Sequence, residues 1–533
     1  MKNKIKSLVL IILVLVCSLL IEASMYYKST YPEQDFELIL FTLRAGVAGT
    51  SPEVIKSILF SCIGQYIALL LIFYLTFAKH TKHVLNLNIT RKNKKNMIIQ
   101  LFPFKPTSNH RFIYAIVTLV VSITLFVKSF GIDTYIKYQS QESTIFENYY
   151  VNPEEAYMEF PEKKRNLIII VGESFENTVL SKENGGVWEQ SLMPELEELA
   201  LDNINFSNVP DKLGGALSIY GTDYSAAGNI AITAGIPQKA GDFTQNANQY
   251  INYYDGSKNF LSGAYSLGEV LQKNGYNNEI IMGSDGYFGN RKQYYECNGD
   301  YKVFDVNYAI ENGKMTNEER VWWGFEDDKL YEWSKEEITN LSNQNQPFNF
   351  IILTADTHFT DGYLSPYADN IYPTQYENVH AYASKCANNF VNWVKQQDFY
   401  EDTTIVIVGD HLGMQTEFYN SKIEGYYIRT IYNAFINSAI PASHNKNRVF
   451  TSMDIYPTML ASIGVKIEGD RLGLGTNLFS GKPTLAEELG FEAFGDEIHK
   501  KSTFYNTHII GDEYITMKKD YNDKKRKESE SEN

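Results

Sequence analysis

Cysteine is scarce: the 533-residue chain has 4, at Cys17, Cys62, Cys297 and Cys386. That is too few for the disulfide framework of a small secreted scaffold. Cys17 and Cys62 fall in apolar runs, so Cys297 and Cys386 form the one pair open to bonding, and free thiols are the expectation. Positive charge is also in deficit, with 48 Lys and Arg against 64 Asp and Glu, a net charge of −16. A general nucleic-acid binder is thereby excluded, because phosphate contacts need a clustered positive surface. Tryptophan is rare (5) beside 38 tyrosines, a balance that suits polar or sugar-like partners. No internal repeat runs through the chain.

Long apolar runs are present. Residues 7–23, "SLVLIILVLVCSLLIEA", 57–78, "SILFSCIGQYIALLLIFYLTFA", and 112–132, "FIYAIVTLVVSITLFVKSFGI", each approach the ~20 residues that cross a bilayer. They predict a membrane region over 1–132 with three transmembrane helices. The first run lacks a clear small-residue cleavage site and reads as a retained anchor. Residues 38–49, with Arg44, are too short to span and read as interfacial or exterior. The loop from Lys79 to Arg111 holds eight Lys or Arg and no acidic residue. The positive-inside rule puts it and the N-terminus in the cytoplasm of a multi-pass plasma-membrane protein, with everything after about residue 133 outside.

Residues 133–164 are polar, acidic and aromatic, and read as a juxtamembrane linker; 518–533 is a charged tail without apolar periodicity, expected to be disordered. Between them, 165–517 alternates two patterns. "NLIIIVGES" (166–174), "NEIIMGSDG" (278–286), "FNFIILTADTH" (348–358) and "TTIVIVGDHLG" (403–413) are apolar runs ending in polar, chemically capable residues. Helical stretches such as 266–275 and 382–397 separate them. Strand, helix, strand implies an α/β fold with a mostly parallel central sheet. Ligands of such sheets bind beyond the carboxyl ends of the strands. Glu173, Asp285, Asp356, His358, Asp410 and His411 are delivered there.

An acid ending a strand often just caps the next helix, and a lone histidine is often structural. Recurrence on four strands changes the balance, since unpaired buried charge is costly and a divalent cation removes that cost. Carboxylates with imidazole and no cysteine suit Mn²⁺, Mg²⁺ or Zn²⁺. A second cluster, "GTDYSAAG" (221–228), groups two hydroxyls with glycines where a helix begins. A hydroxyl facing a metal at a helix N-terminus is what a phosphoryl-transfer nucleophile needs. On this reading, Gly221 and Gly228 let a phosphate approach the backbone.

Together, "NLIIIVGESFENT", "GTDYSAAGNIAITAGIPQ", "LTADTH" and "VGDHLG" resemble the lipoteichoic acid synthase and phosphoglycerol transferase I family of the alkaline phosphatase/sulfatase superfamily. "SMDIYPTMLASIG" (452–464) and "GLGTNLF" (473–479) fit the C-terminal part of that fold. The resemblance implies Glu173, Asp410 and His411 as metal ligands and Thr222 as both ligand and nucleophile, with Ser225 as its rival. It further implies Asp285 and Arg291 as substrate-binding residues, and His358 as a catalytic, substrate-binding histidine acting on the leaving or attacking alcohol. The implied cofactor is one divalent metal, Mn²⁺ first, with Mg²⁺ or Zn²⁺ as alternatives.

The implied reaction moves glycerol phosphate from phosphatidylglycerol, through a phospho-threonine, to an envelope glycan or glycerol-phosphate polymer. A phosphoethanolamine transferase, another hydrolase of the superfamily or an inactive wall- or lipid-binding domain are the alternatives. The chain departs from the synthases at Gly289, where they have Trp, and in its three expected spans against their five. It also lacks the C/S-x-P-x-R pattern of a sulfatase. Glu176, His380 and Asp454 read as structural.

Overall fold

The computed structural model describes residues 2–30, 36–45, 52–77, 85–89, 97–102, 108–239, 260–261 and 263–510. Two compact units divide it: residues 1–36 with 52–137, and 37–51 with 138–533. The expected tail at 518–533 lies outside the described residues, as do 46–49 of the expected interfacial segment and most of the basic loop.

The first unit packs a helix over Lys2–Thr30 against helices Pro52–Phe77 and Ser108–Ser129, with an antiparallel pair Leu85–Ile89 and Met97–Phe102. Fewer than the three expected spans meet both the length and the apolarity of a crossing helix among the described residues. Among the described residues, one helix, Leu8–Thr30, is long and apolar enough to cross a membrane. Ile113–Ser129 qualifies only together with Ile132–Gln139, across a 63° bend, and the apolar stretch Leu59–Phe73 is shorter than a span. At 1.5 Å per residue, a helix needs about 20 residues for the ~30 Å hydrocarbon layer.

The second unit is built on a six-stranded sheet. Its strands are β1 (Asn166–Gly172), β2 (Asn277–Met282), β3 (Lys302–Phe304), β4 (Phe348–Leu353), β5 (Thr403–Gly409) and β6 (Asn433–Ile436). They lie in the order β3-β2-β4-β1-β5-β6, and only β6 is antiparallel to its neighbour. Both faces are covered, which is why these strands read as continuous apolar runs. Leu167, Ile169 and Val171 of β1 enter one core, with helices α1 (Ser225–Ala234) and α4 (Ile455–Ser462). Ile168 and Ile170 enter the other, with α2 (Asp327–Ser342) and α3 (Gln375–Lys395). Thr374 and Glu377 form a capping box that fixes where α3 starts.

Much of the expected linker belongs to this unit. Phe146 is buried against Phe504 and Tyr505, Val151 pairs with Gly473, and Met158–Glu159 forms a short antiparallel pair with Lys466–Ile467. Its aromatic residues bury apolar area on the domain, which outweighs the polar composition that suggested a tether. None of the four cysteines is in a disulfide.

Candidate active site

The carboxyl ends of β1 and β5 place three side chains together. Glu173 follows β1, while Asp410 and His411 follow β5; one ligand atom from each lies within 4.8 Å of the others, and all three residues are buried. The loops are fastened by the ligands themselves. Asp410 Oδ1 accepts the backbone N–H of Ser174 and of His411, both at 2.8 Å. The Glu173 N–H donates to Thr354 Oγ1 (2.9 Å), and its carbonyl accepts Thr357 Oγ1 (2.5 Å). His411 Nδ1 meets the Leu412 carbonyl at 2.7 Å, which puts a proton there and turns Nε2 to the site, 3.4 Å from Glu173 and 3.5 Å from Asp410. Asp410 Oδ2 is buried with no hydrogen-bond partner.

That orphaned oxygen, with two carboxylates and an imidazole, fits a divalent cation. With protons as the only cations, the electrostatics tell the same story. Burial would raise the Glu173 carboxyl, but the charges of His358 and His411 hold it well below the usual carboxylate range. Burial, then the Glu173 charge, pushes Asp410 up to about 7. Burial opposes charge on His411, yet Asp410 and Glu173 push it up to about 10. Protons are held where a metal would displace them.

The hydroxyl beside this cluster is Ser225. Its Oγ donates to Glu173 Oε2 at 3.0 Å and lies 3.2 Å from His411 Nε2. Tyr224 is still extended and Ser225 is the first residue of α1, so the hydroxyl sits at the helix N-terminus, partly exposed. The hydroxyl of Thr222, the expected nucleophile, is engaged within its own turn. The residue is fully buried, and its Oγ1 donates to the Ile219 carbonyl (2.8 Å) and accepts the Ile219 N–H (3.3 Å). It closes the turn that leads into the helix. The glycines also meet the protein's own backbone closely. Gly221 has φ 74°, and a Cβ there would lie 2.8 Å from the Gln238 carbonyl oxygen. A Cβ on Gly228 would stand 2.2 Å from the carbonyl oxygen of Asp410, so α1 is pressed against the ligand loop.

Asp285 and Arg291 share the loop after β2. Arg291 is buried; its Nη2 donates to Ser284 Oγ (2.9 Å) and the Asp285 carbonyl (3.1 Å), and its Nε to the Phe288 carbonyl (3.0 Å). Burial lowers its pKa, against the charges of Glu173, Asp285 and Asp410. Asp285 Oδ1 accepts the Tyr287 N–H (3.0 Å), a local turn bond. His358, after β4, is partly buried, with Nδ1 engaged by the Phe359 carbonyl at 2.6 Å. Burial lowers its pKa, against the charge of Glu173. Sequence reasoning missed the aromatic wall here: Trp323 lies 4.7 Å from the His358 ring and 5.1 Å from Phe288. At Gly289 (φ 65°), a Cβ would press to 3.2 Å on Ala226, the residue after Ser225.

A family model described as Sulfatase matches residues 165–465, more than half of the chain and all of the six strands. The chain belongs to the sulfatase family. Among curated relatives, this sulfatase-family chain is 29% identical over 318 residues to phosphoglycerol transferase I of Escherichia coli (strain K12), and the same figures hold for the protein of that name in Shigella flexneri. The alignment takes 57% of this chain and 38% of the relative, so the chain matches well under half of those proteins' length.

Similar solved structures include an alkaline phosphatase superfamily protein from Vibrio parahaemolyticus (21% identity, TM-score 0.42, 62% of this chain and 72% of that one). The lipoteichoic acid synthase LtaP from Listeria monocytogenes matches at 19% identity and TM-score 0.46, over 63% and 80%. The lipooligosaccharide phosphoethanolamine transferase A from Neisseria meningitidis matches at 13% and 0.46, over 86% and 84%.

Proposed function

We propose that this sulfatase-family chain is a membrane-anchored, metal-dependent phosphotransferase that moves glycerol phosphate from phosphatidylglycerol to a hydroxyl of an envelope glycan or glycerol-phosphate polymer. The observation that supports it is Ser225 Oγ, 3.0 Å from Glu173 and 3.2 Å from His411 at the start of a helix. The likeness to phosphoglycerol transferase I supports glycerol phosphate as the group transferred. Glu173, Asp410, His411 and Ser225 would hold one divalent cation, Mn²⁺ in the first instance, which would supply Lewis-acid chemistry at the phosphate.

The chain's own residues then divide the work. Ser225 Oγ attacks phosphorus, the bond from phosphorus to the diacylglycerol oxygen breaks, and that oxygen takes a proton. A glycerophospho-serine remains. An acceptor hydroxyl attacks the same phosphorus, and the bond to Oγ breaks to restore Ser225. Arg291, beside the cluster, neutralises phosphate charge with its planar donors, and the N–H groups at the start of α1 favour the same anion. His358 takes the attacking alcohol's proton and returns it to the leaving oxygen. Asp285 orders the loop that presents Arg291 and faces the glycerol hydroxyls. The N-terminal apolar helix would anchor the chain in the bilayer that the donor never leaves.

The test uses the full chain in mixed micelles with Mn²⁺ and a fluorescent-acyl phosphatidylglycerol, following diacylglycerol release, with phosphatidylethanolamine as control. Metal-dependent release from phosphatidylglycerol alone is expected. Release from phosphatidylethanolamine instead would transfer the reading to ethanolamine phosphate, and no release from either would favour a binding domain.

A further inference from the structure

We propose that Glu176 and Arg429, which lie outside the ligand set, are positioning residues that hold the two ligand-bearing loops at metal-binding distance. The proposal rests on the metal-centre reading above. Glu176 stands three residues after Glu173 and is completely buried. Its Oε2 accepts the Gly413 N–H at 2.7 Å and Arg429 Nη2 at 2.5 Å, and its Oε1 accepts Arg429 Nε at 3.0 Å. Arg429 Nη2 also donates to the Gly413 carbonyl at 2.7 Å. Gly413 is two residues after His411. One carboxylate and one guanidinium therefore grip both backbone groups of the residue that closes the second ligand loop, from a residue rooted in the first.

The brace is part of a closed circuit. The Arg429 guanidinium lies 4.5 Å over the Tyr419 ring, and a Cβ on Gly413 would sit 2.0 Å from Tyr419 Oη, so that ring is hard against the loop. Tyr419 Oη is 3.2 Å from Tyr376 Oη, which donates to the Thr357 carbonyl at 2.9 Å. Thr357 Oγ1 returns to the Glu173 carbonyl at 2.5 Å. From Glu173 through Glu176, Arg429, Tyr419, Tyr376 and Thr357, the path begins and ends on a candidate metal ligand. A buried ion pair is poor evidence of stabilisation in itself, since its desolvation offsets its attraction. What this pair does supply is a fixed separation between Glu173 and His411, and partners of this kind tune metal affinity.

The chain contains its own comparator. Arg448 and Glu487 form a second largely buried pair (Nε to Oε1, 2.9 Å), but Arg448 grips the carbonyls of His444, Leu478 and Lys482, none of them in a ligand loop. The experiment titrates Mn²⁺ into the full chain in detergent micelles by calorimetry and records Tm for each variant. Glu176→Gln should weaken Mn²⁺ binding by about 10–100-fold, whereas Arg448→Met should lower Tm and leave the Mn²⁺ Kd within about twofold.

Arg429→Lys keeps the charge and loses the bidentate fork. It should weaken binding in the same direction by a smaller factor, and it stands in if Glu176→Gln does not fold. A wild-type Kd in these variants, with Tm lowered as in Arg448→Met, would overturn the positioning role alone. A wild-type chain that binds no Mn²⁺ would overturn the metal-centre reading and this proposal with it.

Discussion

Replacing Gly228 by alanine reverses a familiar sign. Gly228 lies inside α1, and a glycine-to-alanine change in a helix interior ordinarily stabilises by roughly 0.5–1 kcal/mol. Here the new methyl would stand 2.2 Å from the Asp410 carbonyl oxygen, 2.8 Å from its carbon and 3.3 Å from its Cα. All three are backbone atoms, so no side chain can swing aside; the helix or the ligand loop must move. Overpacking of this kind costs about 1–3 kcal/mol, so after the propensity gain a net loss centred on about 1 kcal/mol remains. For a domain of this size, 1 kcal/mol corresponds to roughly 1 °C, so a Tm lowered by about 1 °C is expected. The more telling readout is metal affinity, because the displaced backbone belongs to a ligand. Scanning fluorimetry and Mn²⁺ calorimetry on full-length Gly228→Ala measure both. A variant as stable as the wild type, with unchanged Mn²⁺ affinity, would refute the claim that α1 rests on the Asp410 loop.

Three further outcomes follow from the same geometry. Metal affinity should rise with pH between 6 and 8, by up to about tenfold per unit for each proton released: Asp410, pushed up to about 7, and His411, pushed up to about 10, hold protons below those values that the cation must displace. Calorimetry in two buffers of different ionisation enthalpy counts those protons, and a pH-independent Kd would contradict the ligand assignment. Asp454→Ala should lower stability by about 2–4 kcal/mol, because it strands the buried N–H groups of Thr451 and Thr476 that Asp454 accepts at 2.8 Å each; denaturant midpoints check this, and the Mn²⁺ Kd should not change. Arg291→Lys should raise the KM for phosphatidylglycerol more than it lowers kcat, since it keeps a charge but loses the planar donors; initial rates across donor concentration separate the two.

What the sequence made legible was governed by burial. β1, β4 and β5 are covered on both faces, so they had to be unbroken apolar runs, and the residue that ends such a run is displayed at the sheet edge. Glu173, Asp410 and His411 were readable for that reason. Ser225 and Thr222 were not separable by spacing, because both lie in one short run of small and polar residues. Only the turn closed by the Thr222 hydroxyl and the helix beginning at Ser225 distinguish them. The glycines were legible only in part: a need for close approach was visible at Gly228, but the approach of the Asp410 backbone is a matter of tertiary packing. Glu176, Trp323 and Arg429 gave no local signal, since each matters through loops distant in sequence. The linker misled because composition reports polarity, not what an aromatic residue packs on.

The central claim is that Ser225, and not Thr222, is the nucleophile. Mass spectrometry of the full chain, quenched during turnover of phosphatidylglycerol with Mn²⁺, tests it directly. The account predicts a glycerophosphate adduct on the peptide bearing Ser225, absent in Ser225→Ala and retained in Thr222→Ser. An adduct on Thr222, or undiminished diacylglycerol release by Ser225→Ala, would contradict it.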